Sequence, residues 1–124
     1  MGLFEECREA LGGDFELVEK ENYKNIVSIL YGYPFFSVGM NWSKVKFIDY
    51  ENIYELMQSG LVVSGVFYVF SDDEGVPVFR TTLASIVRHI DDVTALSPRM
   101  FIFNESVMLQ PLFPTEAIRL GFKS

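Results

Sequence analysis

The residues best suited to nucleophilic or acid–base chemistry in this chain are its one histidine, His89, and its one cysteine, Cys7. Neither has the company such chemistry needs. A lone histidine is insufficient for a His-paired triad or a multi-histidine metal site. His89 follows Arg88 near the predicted end of a helix, where the helix dipole favours the charged imidazole. Cys7 falls on the apolar face of a predicted helix among Glu5, Glu6 and Glu9, whose charge raises a thiol pKa rather than activating it. One cysteine permits no intrachain disulfide and no cysteine-based zinc site. The turn Asp72-Asp73-Glu74-Gly75 gathers carboxylates, yet it lacks the alternating spacing and the distal glutamate of a calcium loop. Glycine-rich phosphate loops of the G-x-x-x-x-G-K-S/T and G-x-G-x-x-G kinds are absent. Seventeen acids are present, but nothing in their spacing fixes two of them across a cleft for hydrolysis. The expectation is a protein that is not an enzyme and holds no cofactor and no metal.

What remains is binding chemistry. Asp72, Asp73 and Glu74 form an acidic turn suited to meeting lysine and arginine on a partner. Glu51 and Glu55 are four residues apart, as are Tyr50 and Tyr54, which on a helix would place two acids beside two tyrosines. Tyrosine anchors next to charge are the composition of a protein interface. Asp49 stands at the start of that segment as a plausible N-cap, and Asp91 and Asp92 bound a loop after the next helix. The candidate partner-binding residues are therefore Asp49, Tyr50, Glu51, Tyr54, Glu55, Asp72, Asp73, Glu74, Asp91 and Asp92. An alternative is a small-ligand or regulatory module whose pocket is lined by Tyr31, Tyr33, Phe35, Phe36 and Trp42. Aromatics also favour strands and cores, so that run has a purely structural reading too.

The elements that must position these residues follow from periodicity. Residues 2–11 place Leu3, Phe4, Cys7, Ala10 and Leu11 on one helical face, and Gly12-Gly13 stops that helix. Phe15 and Leu17 alternate with polar neighbours over 14–18, which suggests a strand. Residues 19–25 read as a turn or short helical piece, and the β-branched stretch 26–31 as a buried strand. Two strands are expected around Asn41-Trp42, over 35–40 and 43–48, with Lys44 and Lys46 on one face of the second. Residues 50–58 read as a helix closed by Gly60. Residues 61–70 form the strongest strand, apolar on both faces as a central strand would be. Its hairpin partner over 76–80 contains Pro77, so that strand lies at an edge or begins late. Thr81 and Thr82 are candidate caps for the helix 82–90, with Leu83, Ile86, Val87 and Ile90 inward. A last hairpin over 100–113 and a helical turn over 115–120, opened by Pro114, complete the chain. The order αββββαββαββα predicts one α+β domain over residues 1–124, a mainly antiparallel sheet with helices packed on it.

Composition narrows the partner. With 124 residues, 49% of them apolar and 15% aromatic, the chain has enough material for a core without staples. Its formal net charge is −7. Phosphate backbones and anionic membranes repel such a surface, so nucleic acid and membrane are not expected partners. A basic protein is the partner this field attracts. Residues 1–13 carry too many acids for a signal peptide, and the stretch 61–70 is too short to span a bilayer. Together with the single cysteine, this points to the cytoplasm.

Size, charge and element order resemble the immunity proteins of bacterial contact-dependent growth inhibition and related polymorphic toxin systems. The stretches Phe35 to Glu55 (FFSVGMNWSKVKFIDYENIYE) and Phe67 to Phe103 (FYVFSDDEGVPVFRTTLASIVRHIDDVTALSPRMFIF) share that look. The resemblance implies a small cytoplasmic inhibitor of a cognate toxin domain, commonly a nuclease, whose basic active site it covers. It carries no site residue with it, so the acidic and tyrosine candidates above rest on physical reasoning alone.

Overall fold

Alternation along the strands decides the architecture. A computed structural model of the chain describes residues 2–36, 39–62, 65–71, 73 and 75–123. Its centre is a seven-stranded antiparallel sheet of order β1-β6-β5-β7-β8-β9-β4, formed by β1 (Glu16–Leu17), β4 (Lys46–Tyr50), β5 (Val66–Ser71), β6 (Phe79–Thr82), β7 (Met100–Phe103), β8 (Val107–Pro111) and β9 (Ile118–Phe122). β2 (Phe35–Phe36) and β3 (Gly39–Met40) form a separate two-stranded ribbon. Successive side chains of a strand point to opposite faces, so each central strand serves two cores. In β5, Phe67 and Val69 join one core while Tyr68 and Phe70 join the other.

The first core is covered by α1 (Leu3–Leu11), α3 (Ile53–Gln58), α4 (Leu83–Arg88) and α5 (Ile90–Thr94), which bring Cys7, Leu11, Ile53, Leu56, Leu83, Ile86 and Val93 onto the sheet. The second is covered by α2 (Lys20–Leu30) and the β2–β3 ribbon, through Ile26, Leu30, Tyr33 and Met40. This is the expected α+β class, with helices on both faces of one antiparallel sheet.

Local chemistry explains most boundaries. Gly12 takes φ +57° and ends α1, as the Gly-Gly pair predicts. Thr82 caps α4, its side chain accepting from the Ser85 backbone N–H at 3.2 Å. Pro77 precedes β6, which begins late at Phe79 and runs inside the sheet between β1 and β5.

Several expectations fail, each for a physical reason. Residues 26–31 do not form a strand; Lys20–Leu30 is one helix, with Ile26 and Leu30 inward at i, i+4 spacing. Packing on the sheet overrides the β-branched preference of Ile26, Val27 and Ile29. Residues 115–120 do not form a helix. Pro114 lies in a turn held by Thr115 N–H to Leu112 C=O at 3.0 Å, and Ile118 to Phe122 return as β9. Asp91 and Asp92 lie in the first turn of α5 rather than in a loop. Residues 43–48 begin as a 3-10 turn over Trp42–Lys44, so only Lys46 of the two lysines is on a strand. The predicted strand 35–40 is instead the β2–β3 ribbon, with Ser37 and Val38 outside the described residues. The predicted strand 61–70 starts at Val66, and Val63 and Ser64 lie outside the described residues.

Candidate functional site

The sheet register collects separate loops at one end of the molecule. Tyr50 pairs with Ile118, Ile118 with Pro111, and Ser71 with Met100. The chain leaving β4, the β8–β9 turn, the approach to β7 and the β5–β6 turn therefore all emerge on the same rim. β4 and β5 are four strand spacings apart in the sheet order. At about 4.8 Å per spacing the rim is roughly 20 Å long. A standard interface of about 800 Å² per partner is a patch roughly 30 Å across and would cover it.

Between α3, α5 and the β8–β9 turn this rim opens into a groove of about 400 Å³. Its lining includes Ile53, Tyr54, Ile90, Asp91, Phe113 and Glu116. Tyr54 is 55% exposed and Phe113 67% exposed. Helix α3 presents Tyr54 because Ile53 and Leu56 take the inward positions, and Asn52 starts the helix by accepting from the Glu55 N–H at 2.9 Å.

The ten sequence candidates divide along this geometry. Tyr54 and Asp91 meet at the groove. Glu51 and Glu55 are exposed beside it, but Glu51 and Tyr50 precede the helix, so the two four-residue pairs do not share a helical face. Tyr50 is half-buried against the first core, while Tyr54 points out. Asp49 is not the cap of α3. It accepts a two-pronged contact from Arg119, Nε to Oδ1 at 2.7 Å and Nη2 to Oδ2 at 3.0 Å. Those hydrogen bonds hold its carboxyl below the usual carboxylate range. The same guanidinium lies 4.2 Å over the Phe47 ring and 5.3 Å over the Trp42 ring, so Asp49 is committed to the molecule's own edge strand. Asp92 faces His89, Oδ2 to Nδ1 at 3.8 Å. Asp73 closes the β5–β6 turn by accepting from the Gly75 N–H at 2.8 Å. Asp72 and Glu74 lie outside the described residues. Among the described residues, Glu51, Glu55, Asp91 and Glu116 form no ion pair within the chain.

Phe113 and Glu116 were missed by sequence reasoning because Phe113 reads as the end of the last hairpin and Glu116 as part of a helical turn. The signal was present in Leu112-Phe113-Pro114, an aromatic followed by proline just outside an alternating strand.

The proposed aromatic pocket is not found among the described residues. Tyr33 is buried and donates its hydroxyl to the Asn104 carbonyl at 2.9 Å. Phe35 meets Tyr31 and Phe101 edge-on, and Trp42 packs in the second core. These rings build structure; the side chain of Phe36 lies outside what is described.

Cys7 is fully buried where α1 packs on α5. Burial, and then the Asp92 carboxylate, push its thiol up to about 11. At pH 8 about one thiol in a thousand is then ionised. The native protein is expected to react with Ellman's reagent only as fast as it unfolds; rapid labelling of the folded chain would refute this burial. Among the described residues no group of three or more His, Cys, Asp or Glu side chains is placed to hold a metal ion. No described helix is long and apolar enough to cross a membrane.

The geometry is thus an apolar groove with exposed rings, flanked by acids that form no ion pair among the described residues. No curated protein matches the chain. A family model, described as CdiI immunity protein, EcoliA0-like, matches residues 1–121. The chain therefore belongs to the EcoliA0-like family of CdiI immunity proteins.

Proposed function

We propose that this protein binds a cognate toxin domain, a basic nuclease, and neutralises it by covering its active site with an acidic, tyrosine-bearing surface. The observation that carries this reading is the family match over nearly the whole chain, residues 1–121. The −7 net charge supports a basic partner, because a nuclease cleft must be positive to hold phosphate. The protein acts in the cytoplasm, without a cofactor and without chemistry of its own. The rim bearing Glu51, Tyr54, Glu55, Asp73 and Asp91 is the surface offered to the toxin, with Asp72, Glu74 and Asp92 beside it in sequence.

Long-range attraction raises association rates, and salt screens it. The test is to co-purify the chain with the toxin domain encoded beside it and to follow binding kinetics against salt. Glu51→Lys, Glu55→Lys and Asp73→Lys together should slow association about tenfold or more at low salt and flatten the salt dependence. The circular dichroism of this exposed triple variant should match the unaltered chain, and Asp73→Asn, which keeps an oxygen acceptor for the Gly75 N–H, separates loss of charge from loss of the turn. Unchanged association at low salt would remove these residues from the binding surface. Absence of any complex with the unaltered chain would remove the function.

A further inference from the structure

The groove is apolar where it is deep and acidic where it meets water. Ile53 and Ile118 are buried in its lining, and Tyr54 and Phe113 stand exposed. Among the described residues its ionisable lining apart from Tyr54 is two exposed acids, Asp91 and Glu116, with no lysine, arginine or histidine. Two large rings left in water beside an apolar hollow are the composition of an interface hot spot.

We infer that this groove seats an apolar side chain of the toxin carried next to a lysine or arginine. The inference rests on the immunity reading above and names the chemistry of the partner at this site. An aromatic or aliphatic anchor enters between Tyr54 and Phe113, and its cationic neighbour meets Asp91 and Glu116. A long basic side chain lays its stem along the rings while its head stays at the acids. A cation there also gains from the face of Tyr54. An anionic anchor would be repelled by both carboxylates. This divides the work of the surface: the outlying acids speed encounter, and the groove holds the complex and sets its dissociation rate.

Two measurements test it. First, amide chemical shifts of the unaltered chain are followed on adding phenethylamine or phenylacetate. Phenethylammonium should move the amides of Tyr54, Thr94 and Ala117 and bind at least about threefold tighter than phenylacetate at low salt. The Asp91→Asn, Glu116→Gln variant should abolish that preference. Second, dissociation from the toxin domain is timed for Tyr54→Ser and Phe113→Ser, both surface changes that leave the cores intact. Each should dissociate about tenfold faster with little change in association. Equal binding of the two probes, or no shift at groove amides, overturns the inference. So do dissociation rates like those of the unaltered chain, which leave the immunity reading standing. If the unaltered chain binds no toxin, the immunity reading itself falls. Phenethylammonium binding in that case would assign the groove to a small cationic ligand and likewise overturn the proposal.

Discussion

Phe79→Ala is expected to cost about 3–5 kcal/mol of stability. Phe79 is fully buried in β6, paired with Leu17 on one side and Val69 on the other. Its ring stacks on Phe15 at 4.8 Å and meets Phe4 edge-on at 6.1 Å. Phe4 belongs to α1 and Phe15 to the segment leading into β1, so this one ring joins the N-terminal helix, an edge strand and the sheet. Truncation removes the transfer energy of the ring and leaves a cavity that β6, hydrogen-bonded on both sides, cannot collapse to fill. A chain of this length has a total stability of roughly 6–15 kcal/mol, so the loss is a large fraction. Urea unfolding should show a lower midpoint with an unchanged slope. Phe79→Leu, which retains more of the volume, should cost less than the alanine variant. A loss under about 1 kcal/mol for Phe79→Ala would mean that the cluster does not fasten α1 to the sheet.

Gly121→Ala is expected to cost about 1–3 kcal/mol, although it adds a single methyl group. Gly121 is buried in β9, directly beneath the indole of Trp42. A Cβ there would sit 2.5 and 2.9 Å from two Trp42 ring carbons and 3.3 Å from Val45 Cγ1. The indole cannot easily retreat. Its Nε1–H donates to Gln110 Oε1 at 2.7 Å, and Arg119 and Phe47 lie against it. The methyl must therefore push β9, β4 or the 42–44 turn, and β4 is held to the sheet by β9 alone. The check is urea unfolding followed by circular dichroism, which also reports the variants that lack Trp42, the one tryptophan. Adding Trp42→Ala to Gly121→Ala should cost less than the sum of the two single changes, because the clash is shared. Strict additivity, or a loss within about 0.5 kcal/mol for Gly121→Ala, would show that the ring is not seated on the glycine.

Both effects bear on function through the rim. Phe79 fixes the β6 end of the sheet, from which the Asp73 turn projects. Trp42 and Gly121 fix the β9–β4 edge, from which Tyr50 leads into α3 and Tyr54. Destabilising either would loosen one side of the surface proposed to face the toxin without touching a residue of it.

Much of the molecule was legible in the residues themselves. The α+β class, the helix stop at Gly12, the Thr82 cap, a central strand with apolar side chains on both faces over Val66–Phe70 and the late start after Pro77 are local or periodic properties. Each depends on backbone freedom, a hydrogen bond a few residues away, or side-chain alternation, all of which a sequence displays directly. The acidic balance and the absence of catalytic spacing are equally direct. Tertiary structure decided the rest. Lys20–Leu30 is helical because its Ile26 and Leu30 face must cover the second core, a demand from residues about seventy positions away such as Phe101 and Phe103. Ile118–Phe122 is a strand because β4 and β8 offer it hydrogen bonds on both edges. Asp49 is tied to β9 because Arg119, distant in sequence and opposite it in register, holds its carboxylate. Tyr54, Asp91, Phe113 and Glu116 share one groove for the same reason: long-range strand pairing, not spacing along the chain, sets which loops meet.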